Sequence, residues 1–265
     1  MNLLFRELKA NGRSLLIWTL ALALLNFMMM ALFPSFADGA EYMDDFISML
    51  PDEFARMFGL DRLNLTEPVG FYSIEAYFMI ILFGGMFAAI LGTTMLGKEE
   101  DEKTAEFLLA KPVSRSYVVS GKVLAILFQL LLFNLGIGVV TVIAFEIFAD
   151  GYSRVELARL LVAPFISQLV FAAIGLFLSV FITRRKAAIS ASIGFVLGLY
   201  FFHVAASVTD KFEFLKYFTP FWYMDAADIV HHGELAFWKV AVLLATAVLC
   251  TGLSYLLYNK KDIKI

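Results

Sequence analysis

Two groups of residues have the types and spacing that chemistry would need. The first is a Gly-x-x-x-x-Gly-Lys pattern from Gly92 to Lys98. In a phosphate-binding loop this pattern lies between a strand and a helix, and a Ser or Thr after the lysine binds Mg²⁺. Here Glu99 follows the lysine, the preceding segment is apolar, and the next residues are acidic. We therefore expect no nucleotide site, and we predict no catalytic, cofactor or metal residues in this chain.

The second group combines carboxylates and imidazoles: Asp225, Asp228, His231, His232 and Glu234. Asp225, Asp228 and His232 would share one face of a helix, and these side-chain types bind metals. A solvated loop explains the same residues, and no His-Glu-x-x-His pattern is present. We favour the solvated loop and leave any further role of these residues open.

The composition is that of a membrane protein. The chain has 265 residues, of which 61% are hydrophobic and 17% charged, and its mean hydropathy is +0.80. Apolar stretches of about 20 residues separate the charged clusters, which is enough to cross a hydrocarbon core of roughly 30 Å. These stretches are apolar on every face, so they predict helices rather than barrel strands. No basic domain is present, which argues against nucleic acid as a partner.

We predict an all-α integral membrane protein with a single transmembrane domain over residues 1–265. An amphipathic helix in the membrane interface is expected at residues 1–14, although these residues would equally extend the first span. Pro34 is expected to end that span. The predicted six spans cover residues 15–33, 71–96, 123–148, 157–182, 187–208 and 235–258.

The distribution of Lys and Arg predicts the orientation. Two thirds of them lie in residues 1–14, 97–122, 183–186 and 259–265. Since cytoplasmic loops are enriched in Lys and Arg, both termini should be cytoplasmic. Residues 35–70 and 209–234 are then extracytoplasmic loops.

Polar and small residues within the spans suggest packing rather than transport chemistry. We expect Gln129, Asn134 and Gln168 to form hydrogen bonds between helices. No ionisable residue lies at mid-membrane, which gives little support to a proton or ion path. Close helix packing accounts for the glycines, which are Gly84, Gly85, Gly92, Gly136, Gly138, Gly194 and Gly198.

The loop at residues 97–122 is the most informative segment. Ala105, Leu108 and Leu109 have helical spacing and predict a short amphipathic helix, which Pro112 would end. Ser114 would cap the next helix. An amphipathic helix just below the bilayer suits a groove on a soluble partner, whereas the alternative is a solvated connector.

A resemblance to a known family follows from the residues of this loop. From Glu102 to Lys122 it reads E-K-T-A-E-F-L-L-A-K-P-V-S-R-S-Y-V-V-S-G-K. It resembles the cytoplasmic loop of ABC-2-type transporter permeases, the membrane-spanning subunits of ABC exporters. Lys103 departs from the family, where Gly is common before the Thr. Residues 215–223 resemble the family's Pro-aromatic turn in the last outer loop, here at Pro220 and Phe221.

The resemblance implies a transport subunit that is not itself an enzyme. Its partners would be a second permease copy, identical or related, and separate ATPase subunits that bind ATP and Mg²⁺ in the bacterial cytoplasmic membrane. Export is the family's usual direction, with the substrate path along spans one, two and five. The residues that would couple to the ATPase are Glu102, Thr104, Glu106, Phe107, Leu108, Leu109, Pro112 and Arg115.

Two alternatives stay open from the sequence. One is a transporter or channel driven by an ion gradient, and the other is a membrane scaffold or immunity protein that does not transport. The substrate itself is not readable from the residues.

Overall fold

Six long helices make up the protein, which we describe from a computed structural model. The structure describes residues 3–39, 47–51, 54–56, 59–104 and 114–261, and in these ranges it contains no strand. The all-α prediction is confirmed, and each long helix is apolar enough to cross a membrane. The helices are α1 (Leu3–Asp38), α2 (Pro68–Thr93), α3 (Arg115–Phe148), α4 (Arg154–Leu178), α5 (Arg185–Val208) and α6 (Phe237–Lys260).

The first helix differs from the expectation of a separate interfacial helix. α1 is continuous over 36 residues, longer than a hydrocarbon core of roughly 30 Å requires at about 1.5 Å per residue. Its first turns are packed on the protein, because Glu7 is fully buried. Residues 3–14 therefore belong to the same continuous helix as the first span. Pro34 lies inside the helix, so the expectation that it ends the span is wrong.

The second and third helices also begin before their predicted spans. α2 starts at Pro68, whose fixed φ suits the first helical position, and it contains a π-helical segment at Tyr72–Tyr77. α3 starts at Arg115, inside the segment that we assigned to the loop. Ser114 caps it as predicted, because its Oγ accepts a hydrogen bond from the Tyr117 backbone N at 3.2 Å.

The centre of the bundle is the pair α2 and α4. In each of these two helices, 67% of the most apolar 18-residue stretch is buried, against 33% or less in the other four long helices. The two backbones meet at glycines. A Cβ atom at Gly175 would lie 2.5 Å from the Ala89 carbonyl oxygen, and one at Gly92 would lie 2.9 Å from the Leu176 backbone N. A Cβ at Gly85 would lie 3.0 Å from the Phe171 ring. Close packing at these glycines is thus confirmed.

The α5 glycines behave differently from those of α2. Within the described ranges, no atom of another helix or loop lies within 4 Å of a Cβ built at Gly194 or at Gly198. They do not pack closely against another helix in the described part of this chain, so the predicted close packing at these two glycines stays a prediction. They lie on a helix in which most residues are partly buried and only 17% of the most apolar 18-residue stretch is buried.

The predicted interhelical hydrogen bonds are partly present. The Asn134 amide donates to Gln168 Oε1 at 2.6 Å and connects α3 to α4. Gln129 instead donates to the Ala125 carbonyl of its own helix at 3.1 Å, so that prediction is wrong. A bond that we did not predict connects α1 to α3, from Asn26 Nδ2 to Thr141 Oγ1 at 2.9 Å.

Candidate functional site

The segments predicted to share one side of the membrane meet at one end of the bundle. Leu3 lies beside Gly121, where a Cβ would be 2.8 Å from the Leu3 Cδ2 atom. Lys261 forms an ion pair with Glu100. At Gly97, a Cβ would lie 2.9 Å from the Cα atom of Thr183. We call this end, with the first turns of α1, residues 94–104, the start of α3, residues 179–186 and the end of α6, the loop end.

A buried lysine organises the loop end. The Lys122 side chain is fully buried, and its Nζ donates to Glu99 Oε1 at 2.7 Å, to Glu99 Oε2 at 2.9 Å and to the Met95 carbonyl at 2.5 Å. Glu99 is the residue that breaks the phosphate-loop pattern, and it lies in a short helix, Lys98–Asp101. This glutamate therefore has a structural role as the main partner of Lys122.

Glu7 connects α1 to the same group of charges. One of its carboxylate oxygens lies 3.5 Å from Lys122 Nζ, and the other lies 3.6 Å from Lys98 Nζ. We call Glu7, Lys98, Glu99 and Lys122 the Glu7 network. It pairs two carboxylates with two ammonium groups, which a buried site requires because an unpaired charge there is strongly destabilising. The network joins α1, the short helix and α3.

Arg115 attaches α6 to the same end. Its Nη1 atom donates to the carbonyl oxygens of Tyr258, Asn259 and Lys261 at 3.3, 3.2 and 2.6 Å. The last carbonyls of a helix lack intrahelical partners and carry the negative end of the helix dipole. Arg115 therefore caps α6. About one turn further along, a hydrogen bond of 2.8 Å between Ser120 Oγ and the Tyr255 hydroxyl also joins α3 to α6.

The predicted coupling residues are only partly within the described chain. Glu102 is exposed and directly follows the short helix. Glu106, Phe107, Leu108, Leu109 and Pro112 lie outside the described residues, so their placement stays a prediction.

Lys103 has an unusual backbone next to these residues. It has a φ of 54°, and it is the one non-glycine residue with positive φ in the part of the chain that the structure describes. Glycine adopts this left-handed region without steric cost. The backbone therefore gives a physical reason for the family's preference for Gly here.

The predicted Pro-aromatic turn leads into a short helix, Pro220–Tyr223. Thr219 Oγ1 accepts a hydrogen bond from the Phe221 backbone N at 3.1 Å. The Phe221 ring is buried, 5.5 Å from the Phe171 ring and 5.8 Å from the Tyr200 ring. The turn thus attaches the loop between α5 and α6 to α4 and α5.

A preceding 3₁₀ helix, Asp210–Phe218, carries an exposed ion pair. Lys216 Nζ donates to Glu213 Oε1 at 2.5 Å. This hydrogen bond raises the pKa of the Lys216 ammonium.

The carboxylates of the metal candidate form ion pairs and a helix cap. Asp228 Oδ1 lies 3.0 Å from Arg62, and Asp228 Oδ2 accepts a hydrogen bond from Lys239 at 2.6 Å. Asp225 Oδ1 accepts one from the Asp228 backbone N at 2.9 Å, so Asp225 caps the helix Ala226–His232. Within the described ranges, no group of three or more His, Cys, Asp and Glu is placed to hold a metal ion.

Sequence reasoning missed the residue that connects α1 to the buried charges of the loop end. Glu7 lies within residues 1–14, for which the sequence predicted only an amphipathic helix. The available signal was an acidic side chain near the start of a helix that continues into a long apolar span. Such a carboxylate needs a cationic partner from another helix.

Six long apolar helices define a multi-pass membrane protein whose loop end is held together by ion pairs. The sequence pattern of the family described as ABC-2 family transporter protein matches residues 1–263. The chain therefore belongs to this family and is a permease of an ABC transporter, as the loop motif predicted. No curated protein gives a significant match.

Proposed function

We propose that this permease exports a substrate across the bacterial cytoplasmic membrane, using ATP that a separate ATPase subunit hydrolyses. Under this proposal the loop end faces the cytoplasm, because it holds most of the Lys and Arg residues. The Glu7 network supports the coupling role, because it lies directly beside the loop that resembles a docking segment.

The coupling residues would act through this network. The segment from Glu102 onward would dock on the ATPase, and Glu102 directly follows the short helix that contains Glu99. A displacement of the docked segment therefore reaches Lys122 on α3 and Glu7 on α1 through two direct contacts, of 2.7 and 3.5 Å. Transport requires two discrete packings of the helices, and the contacts of α1 are those that we expect to change.

The open face of α5 supports a second permease copy as a partner. In the part of the chain that the structure describes, no other element comes within 4 Å of a Cβ built at Gly194 or Gly198, and Ser190, one turn earlier, is exposed. Small residues four apart let two membrane helices approach closely. We therefore propose that α5 of one copy packs against the other copy, beside the substrate path.

A charge reversal tests the coupling proposal. Glu106→Lys should weaken co-purification of the ATPase and the ATPase activity of the complex, while the amount of permease in the membrane stays unchanged. The matched control is Glu234→Lys, an exposed glutamate that does not lie at the loop end. The coupling proposal fails if Glu106→Lys behaves like Glu234→Lys, and the ATPase-dependent function fails if no ATPase accompanies the native chain.

A further inference from the structure

A cavity of about 360 Å³ opens at the loop end between α1 and the start of α5. Its lining includes Arg6 and Asn11 of α1, Thr94 after α2, Lys98 of the short helix, and Thr183 and Arg185. Thr94 directly follows the last residue of α2, and Arg185 is the first residue of α5. The cavity therefore lies where two apolar spans end, which is the depth of lipid headgroups in a bilayer.

Two guanidinium groups in this cavity are available to a ligand. The Lys98 ammonium already forms an ion pair with Glu7 at 3.6 Å. The side chains of Arg6 and Arg185, by contrast, have no ion-pair partner within the described ranges. The planar guanidinium matches the oxygens of a phosphate in a bidentate way. Arg184, the residue before α5, makes no capping hydrogen bond with its own side chain.

The rim of the cavity carries the opposite charge. The side chains of Asp101 and Glu102 are exposed there, and Asp101 Oδ2 accepts a hydrogen bond from the Arg185 backbone N at 3.3 Å. These carboxylates repel a free phosphate or a headgroup that is anionic throughout. They attract a headgroup that carries an ammonium group beside its phosphate.

The surface of α1 continues from the cavity as an apolar stripe. From Arg6, one face of the helix runs at three- and four-residue steps through Ala10 and Arg13 to Ile17, Leu20 and Leu24. The last three are 64, 60 and 61% exposed. A headgroup in the cavity would therefore have an apolar surface for its acyl chains along α1, which a soluble phosphate would not use.

We propose that the cavity binds the headgroup of a phospholipid, with its phosphate between Arg6 and Arg185 and an ammonium group beside Asp101 and Glu102. Phosphatidylethanolamine has this chemistry. Lipid binding is measured without the ATPase, so its test is separate from the test of ATP coupling, although Lys98 and Glu102 also belong to the proposed coupling machinery.

Native mass spectrometry of the full chain in mild detergent tests this site, with phosphatidylethanolamine, phosphatidylglycerol and inorganic phosphate as probes. The double variant Arg6→Gln/Arg185→Gln should bind phosphatidylethanolamine at least about tenfold more weakly, because two charge-assisted hydrogen-bond donors are lost. Arg184→Gln is the matched control, since this arginine adjoins the site but does not line it. Glu102→Gln should reduce the preference for phosphatidylethanolamine over phosphatidylglycerol.

Three results would overturn the proposal. Equal lipid binding by the double variant and Arg184→Gln would exclude the cavity as the site. Displacement of the lipid by inorganic phosphate at millimolar concentration would identify a soluble anion as the ligand. Stronger binding of phosphatidylglycerol than of phosphatidylethanolamine would show that the rim carboxylates do not favour a headgroup with an ammonium group. An unchanged thermal midpoint in the double variant separates loss of binding from loss of fold.

Discussion

Replacement of Lys122 by Met removes the cation at the centre of the Glu7 network. Glu99, which is 3% exposed, then loses both short hydrogen bonds, and the Met95 carbonyl loses its donor. Breaking one side of a buried ion pair costs about 3–5 kcal/mol, against a total stability of about 5–15 kcal/mol. Glu7→Gln should cost only about 1 kcal/mol, because the contacts of Glu7 are longer, at 3.5 and 3.6 Å.

The assay compares thermal midpoints of the variants in one detergent, from tryptophan fluorescence, together with their amounts in the membrane. The expected order of stability is wild type, Glu7→Gln and then Lys122→Met. The double variant Glu99→Met/Lys122→Met should recover most of the loss, because replacing both members of a buried pair by apolar residues of similar volume is often nearly neutral. The reasoning is refuted if Lys122→Met is as stable as Glu7→Gln, or if the double variant is no better than Lys122→Met.

Two further predictions concern helix contacts. Gly92→Ala should lower the thermal midpoint, because its Cβ would collide with the α4 backbone. Gly252→Ala, where a Cβ meets nothing within 4 Å, should leave the midpoint unchanged or raise it; equal effects would argue against close packing of α2 and α4. Cysteines at positions 3 and 121 should form a disulfide, because a Cβ at Gly121 lies 3.4 Å from the Leu3 Cβ, near the usual separation of about 3.8 Å. This disulfide should inhibit the ATPase activity of the complex until it is reduced, and full activity of the oxidised protein would contradict a moving α1.

The spans were predictable because the signal for them is local. A run of about 20 apolar residues is sufficient to identify a membrane helix, and Ser114 was identified as a cap from its position before the α3 segment. The shared end of the termini and the basic loops also followed from charge counting, since Lys and Arg gather at the ends of spans. The family motif between Glu102 and Lys122 added the class of protein.

Contacts between distant residues were not predictable in the same way. Gln129 and Asn26 are both amides in apolar helices, yet only Asn26 reaches another helix. Whether a residue faces a neighbouring helix depends on the orientation of its own helix about the helix axis. The sequence of one helix does not determine this orientation. The same reason explains why Asp228 was read as a solvated or metal-binding carboxylate, whereas Lys239 from α6 neutralises it.

The lengths of the contacts suggest which part of the loop end moves first. Lys122 is held to Glu99 and to Met95 by bonds of 2.5 to 2.9 Å, so the end of α2 and the start of α3 form one unit. Glu7 approaches this unit no closer than 3.5 Å. Because the attraction between charges falls with distance, the contact of α1 is the weakest one within the Glu7 network. We therefore expect a pull on the segment after Glu102 to shift α2 and α3 together and to change the packing of α1 against them.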